Sequence, residues 1–418
     1  MIETKIGSHS ILFTWTKEIP CLKGNHLIIE YDVDISNTPR HLANFMFSLI
    51  MSEAITRRTG TILFDELTQK ELECVRNYNE MNFISKGCSG LGYGYNKLYP
   101  HQLSINVEAK KTVEDNTMEH GGPTLCANGL GKDGLLIANL TKETEGNMRC
   151  FFVEGQMEPS VLRERMNNVN KFYKEHSIES NIIKGNYCDI QPTTQGFYPY
   201  YHALPLAYYY NSEAILSGLS IHMNKTRVSD MALVCPGESI FGFDYISKAS
   251  GISFSSPNRP LSLPAVELLL AERYPKSIKY QRSCIKANPW CGQCGKCLRH
   301  HIYLKAAGID PTTIGLASKN IEEQYTGAYG TQSRYGAEVS GCLNKLRGEP
   351  YDEWVFGASE PVFDLIWGGK ELKKIFQEHL ELYSYDIGTH GEGWMLEPSK
   401  WKDWLKKGYI ETRRERFR

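Results

Sequence analysis

Four cysteines fall within fourteen residues, and they restrict the local fold more than any other feature of the chain. Cys284, Cys291, Cys294 and Cys297 lie in SCIKANPWCGQCGKC, with the spacing C-x6-C-x2-C-x2-C. Two-residue gaps let neighbouring thiolates converge on one ion, and four sulfurs complete the tetrahedral shell of a structural Zn²⁺. Gly292 and Gly295 inside the gaps permit the tight turns that such a knuckle needs. A closed four-sulfur shell leaves no open position, so the metal is expected to stabilise the fold and take no part in chemistry. A disulfide pair, unliganded thiols and an iron–sulfur cluster are the competing readings. His300 and His301, just past the block, could substitute for a cysteine ligand, but histidines in that place are expected at the surface.

The bulk numbers set the surroundings of this block. At 418 residues the chain is too long for one ordinary core, which predicts about two domains. Lys and Arg number 47 against 48 Asp and Glu, so the charge is balanced and nucleic acid is not an expected partner. The longest apolar runs, Ala43–Met51 and Leu263–Ala271, are too short to span a bilayer, so no membrane partner is expected. Eight of the 12 cysteines are scattered singly and read as small reduced hydrophobes, which fits a cytoplasmic protein.

Residues 1–115 read as an α+β domain, with a strand at Leu27–Val33 and an apolar helix over Pro39–Arg57. The glycine-rich Gly87–Gly94 reads as a loop. The charged stretch Ala109–Gly122 lacks apolar periodicity and reads as a linker. From Pro123 strands and helices alternate. Strands are predicted at Thr124–Ala127, Met148–Glu154, Ser180–Ile183 and Glu213–Leu219, with helices over Leu135–Glu143 and Val161–Glu175. Alternation of this kind predicts a parallel sheet with helices on both faces and a ligand at the carboxyl ends of its strands. A nucleotide-binding domain is thus expected over 123–310, carrying the knuckle, and a helical extension over 311–418 that includes Glu371–Leu382 and Lys400–Lys406.

Between the first strand and helix of that domain lies Asn128-Gly129-Leu130-Gly131-Lys132-Asp133-Gly134. A glycine loop here presents backbone N–H groups and a helix N-terminus to an anion. Gly129, Gly131 and Gly134 spell G-x-G-x-x-G, the dinucleotide fingerprint. Glu154 closes the next strand, 20 residues after Gly134, where a ribose-binding acid would sit. A purely structural glycine turn is a third reading.

The same loop resembles the PP-loop of ATP pyrophosphatases, SGGxDS, with Gly131 and Asp133 matched and Lys132 in the variable place. Gly129 and Gly134 stand where that family has serines, and Leu130 replaces its first glycine. The segment Phe151–Gln156 is similar to the second strand and GQ step of 7-cyano-7-deazaguanine synthases. The cysteine block is similar to theirs too, with a shorter first gap. Ser255–Leu261 and Ala265-Val266-Glu267 resemble the matching segment of UDP-N-acetylmuramoyl-L-alanyl-L-glutamate epimerase.

The resemblance covers roughly residues 123–300 and implies an adenine nucleotide alpha hydrolase-like fold. Asn128, Gly129, Leu130, Gly131 and Gly134 would then cradle ATP, Lys132 would neutralise phosphate charge, and Asp133 would help hold Mg²⁺. The implied reaction attacks the α-phosphate with a small-molecule carboxylate and releases pyrophosphate. Amidation or epimerisation of the adenylate follows. His222, Arg227, Asp230 and Arg259 are further candidates for substrate contacts. The alternatives are an NAD(P)-dependent enzyme, or a non-catalytic zinc-containing nucleotide-binding protein. A homo-oligomer and a protein partner both stay open.

Overall fold

The two halves of the chain differ in how their strands are patterned, and the difference sets how each half is covered. A computed structural model describes residues 1–16, 24–51, 61–76, 107–114, 120–144, 146–154, 159–186, 190, 199–218, 246–255, 258, 261–284, 287, 290–317 and 336–351. Strands β1 (Ile2–Ile6), β2 (Ser10–Trp15) and β3 (His26–Tyr31) alternate buried and accessible residues. Such alternation suits an antiparallel meander with one face on a core. Ile2, Ile11, Phe13, Leu27 and Ile29 fill that face, against Phe45 and Phe47 of α1 (Arg40–Ile50). Strands β4 (Ile62–Thr68) and β5 (Val107–Val113) extend the meander in parallel from β1.

The later strands are β6 (Thr124–Ala127), β7 (Met148–Val153), β8 (Glu179–Gly185), β9 (Ala214–Leu216) and β10 (Ser253–Ser255), all paired in parallel. Here consecutive residues are buried. Leu125, Phe151 and Ile215 enter the same core as the meander, whereas Cys126, Phe152 and Leu216 enter a second one. Side chains alternate across a strand, so these strands are covered on both faces. Helices α2 (Lys132–Thr144) and α3 (Pro159–Glu175) contribute Leu135, Ile137, Val169 and Phe172 to the second core.

β3 pairs antiparallel with β8, from Ile29–Gly185 to Tyr31–Ile183, and so joins the halves. The result is one ten-stranded, mostly parallel sheet in the order β10-β9-β6-β7-β8-β3-β2-β1-β4-β5. The linker read over Ala109–Gly122 is corrected in part, because its first residues belong to β5. Glu108, Lys110 and Lys111 hid the strand: among the described strands β5 is an edge, where charged side chains discourage further pairing.

The described residues also form helices α4 (Leu204–Tyr210), α5 (Leu263–Arg273), α6 (Gly295–Ala306) and α7 (Gly336–Arg347), with a single helical turn at Pro275–Ile278 after α5. α5 is capped by the Ser262 hydroxyl, which accepts from the Ala265 N–H at 3.0 Å. Among the described residues no helix is long and apolar enough to cross a membrane. The Gly87–Gly94 loop, the end of the helix expected to Arg57, and the helices expected at 371–382 and 400–406 lie outside the described residues.

Candidate functional site

Numbered among themselves, the five parallel strands β6 to β10 stand in the spatial order 3-2-1-4-5. In sheets of this order a crevice opens at the carboxyl end of the first strand, where the order reverses. Residues 128–131 turn the chain at that point, between β6 and the first turn of α2. Gly218, just past β9, closes on the same turn: a Cβ there would lie 2.8 Å from the Asp133 Cβ, so only glycine fits.

Asn128 braces the loop from inside. Its N–H donates to Phe151 O at 3.0 Å and its carbonyl accepts from the Tyr173 hydroxyl at 2.9 Å. Its Oδ1 accepts from the Leu130 N–H at 2.9 Å. Leu130 takes a left-handed φ of 61°. That conformation costs a non-glycine residue roughly 1–2 kcal/mol, offset here by complete burial of its side chain. Gly134 packs so tightly that a Cβ would lie 3.0 Å from both Ala127 O and Asn128 Oδ1.

Arg165 of α3 ties this loop to the cysteine block. Its guanidinium is buried and donates to Gly129 O at 2.9 Å, to Cys284 O at 2.7 Å and to Arg282 O. The Arg282 N–H donates in turn to Leu130 O at 2.6 Å. Burial, and then the neighbouring Arg282, lower the Arg165 pKa only to about 10, so it stays charged at neutral pH. Its helix could have revealed it, because Val161, Arg165, Val169 and Phe172 form one buried stripe with a cation inside it.

Lys132 is buried and its ammonium contacts the Asp133 carboxylate. Asn258 donates from Nδ2 to Asp133 O at 3.0 Å, and its own buried Oδ1 is unpartnered. Lys296 and Arg299, on α6, act electrostatically on the same centre. His222, Arg227, Asp230 and Arg259 lie outside the described residues.

Beside Lys132 sits a polar network to which the sequence reading gave no role. Glu267 of α5 is fully buried, and its Oε1 lies 2.5 Å from His300 Nδ1 and accepts from Gln281 Nε2 at 2.8 Å. Its Oε2 has no partner. Burial pushes the Glu267 carboxyl up to about 8, against the pull of Lys132 and Gln281. Burial, then Lys132 and Lys296, hold His300 well below the usual histidine range. At neutral pH an uncharged acid thus faces an uncharged imidazole. The expectation that His300 and His301 lie at the surface is corrected: both are buried, turned inward on the helix that follows the knuckle.

The network predicts a pH effect. The folded-state pKa of Glu267 lies above its ordinary value of 4.5, so the unfolded chain sheds this proton first. Stability therefore falls as pH rises through that window. His300 and His301 act in the opposite sense, but only below their ordinary pKa near 6.5. Between about pH 6.5 and 8, wild type should lose up to about 2 kcal/mol relative to Glu267→Gln. Parallel denaturation curves at the two pH values check this, and an unchanged difference would contradict it.

The four cysteines come together. All four sulfurs lie within 4.8 Å of one another, with Cys291–Cys297 at 3.6 Å and Cys294–Cys297 at 3.4 Å. The thiols are free, so no disulfide links them. A tetrahedral ion with sulfur bonds near 2.3 Å has sulfur–sulfur edges of about 3.8 Å, so the arrangement suits a metal. Cys294 caps α6 and Cys297 lies in its first turn. Gly292, at φ 69°, has Ala317 O where a Cβ would come within 2.8 Å, so the turn requires glycine. Burial raises the Cys291 thiol, but hydrogen bonds from the Gln293 and Cys294 N–H groups outweigh it and bring it to about 6.

Comparisons of the chain with protein-family models, curated proteins and solved structures find no match. The functional reading therefore rests on the residues and their geometry.

Proposed function

We propose that this chain is an ATP-dependent enzyme of the PP-loop type, stabilised by a structural zinc ion. It activates a substrate carboxylate as an adenylate with release of pyrophosphate, and amidation or epimerisation follows. The observation that carries this reading is the Lys132–Asp133 pair on the first turn of α2, at the switch point of the parallel strands. The buried charge of Arg165 beneath Gly129 supports it, as does the left-handed backbone at Leu130, where PP-loop sequences carry glycine.

In this reading the α2 N–H groups and Lys132 hold phosphate oxygens, and charge that grows on the leaving pyrophosphate is stabilised by fixed cations. Asp133 supplies a hard oxygen ligand for Mg²⁺. Zinc occupies the four thiolates and takes no part in the chemistry. Pyrophosphate release over a panel of carboxylates tests the reading. Asp133→Asn should lower the rate about 100-fold or more with the fold intact, the scale of a lost transition-state contact. An unchanged rate and Mg²⁺ dependence in that variant would sink it.

One observation favours an NAD(P)-binding alternative. Gly134 packs helix on strand as the third fingerprint glycine does. Glu154, which follows β7, is however already engaged by Lys184 at 3.8 Å.

A further inference from the structure

Residues 281–283 run beside the glycine loop. The Arg282 N–H donates to Leu130 O at 2.6 Å, and the Arg282 carbonyl accepts from the guanidinium of Arg165 that also holds Gly129 O. A Cβ at Gly131 would lie 3.8 Å from the Ser283 hydroxyl oxygen, so that side chain rests against the loop. Leu130 is left-handed, and a non-glycine residue in that conformation persists only where its surroundings fix it. Asn128 Oδ1 fixes its N–H, and the Arg282 N–H fixes its carbonyl.

What holds residues 281–283 in turn is buried and polar. The Gln281 side chain is fully buried and donates from Nε2 to Glu267 Oε1 at 2.8 Å, and the same oxygen lies 2.5 Å from His300 Nδ1. Three elements thus meet on one carboxyl oxygen: α5, the segment leading into Cys284, and α6. Around Glu267 in α5, Leu263, Ala265, Val266, Leu269 and Leu270 are apolar and buried. A well-packed apolar side chain at 267 would be no less stable than a buried polar cluster. Apolar packing tolerates rearrangement, however, whereas a satisfied hydrogen-bond network fixes one geometry.

We propose that Glu267 is a positioning residue for the glycine loop: through Gln281 it sets the place of Arg282, and through Arg282 the left-handed turn at Leu130. This role rests on the geometry of the chain itself, and on the PP-loop reading only for what the loop then holds.

Amide hydrogen exchange of the zinc-loaded full chain tests the proposal, read at Arg282 and, as a reference for global stability, in β7, which is paired on both sides. Glu267→Leu should speed exchange at Arg282 about tenfold or more and leave β7 as protected as in wild type. Glu267→Gln keeps an oxygen within reach of Gln281 Nε2 and should stay near the wild-type rate. Gln281→Met cuts the link while leaving Glu267 with His300, and should match Glu267→Leu. Wild-type exchange at Arg282 in Glu267→Leu overturns the proposal. Equal loss of protection at Arg282 and in β7 also overturns it, because Glu267 would then only support the fold. If Glu267→Leu fails to fold, Gln281→Met decides: faster exchange at Arg282 with β7 intact supports the role, and an unchanged rate overturns it. Titration of the same proteins with Mg²⁺-ATP separates this role from the PP-loop reading. Wild type that binds no ATP but shows the expected exchange pattern overturns that reading and leaves the positioning role standing.

Discussion

Replacing Cys291 and Cys294 by serine is expected to destabilise the chain by an amount on the order of 10 kcal/mol, the scale on which a structural zinc site contributes to folding. Cys284 and Cys297 are buried in the second core with Leu130 and Leu316. Without an ion the two remaining buried thiols would lose the bonds that hold the turn together there. A typical domain is stable by only about 5–15 kcal/mol, so the double variant should be largely unfolded or insoluble. Chelator titration followed by circular dichroism should show zinc loss and unfolding together. A metal-free chain that melts at the wild-type temperature would contradict the assignment.

Arg165→Met should have the next largest effect, a loss of about 3–5 kcal/mol. The substitution keeps much of the apolar stem but strips the partner from three carbonyls, those of Gly129, Arg282 and Cys284. A buried carbonyl left without a donor costs roughly 1–3 kcal/mol. Arg163→Met, on the exposed side of the same helix, should cost less than about 0.5 kcal/mol. Urea denaturation of the two variants gives the comparison, and equal stabilities would show that Arg165 does not clamp the loop. Because the clamp also shapes the loop, Arg165→Met should weaken ATP binding even where the chain stays folded.

The parallel half of the fold was legible because its strands and helices alternate in type. Thr124–Ala127 is β6 as read, and Met148–Val153 and Pro159–Glu175 fall within a few residues of their expected bounds. Convergence of the cysteines was legible from spacing alone. The continuous sheet was not, because the short strand β1 also pairs with β4, which is distant in sequence, and β4 pairs in turn with β5 across a long connection. No local pattern announces that β3 will pair with β8 across some 150 residues. The centre around Lys132 was legible only in its loop. Glu267 lies among the apolar residues of α5, and Gln281, Lys296 and His300 come from segments flanking and following the cysteines. They meet only through the tertiary packing of α5 and α6.

The central claim is that residues 128–134 hold the phosphates of ATP. Calorimetric titration of the zinc-loaded chain with Mg²⁺-ATP and with NAD tests it most directly. The account predicts weak ATP binding, worth about 5 kcal/mol because the family's loop serines are replaced by Gly129 and Gly134. It also predicts no NAD binding and no effect of Glu154→Ala on ATP. Binding of NAD alone, weakened by Glu154→Ala, would contradict it.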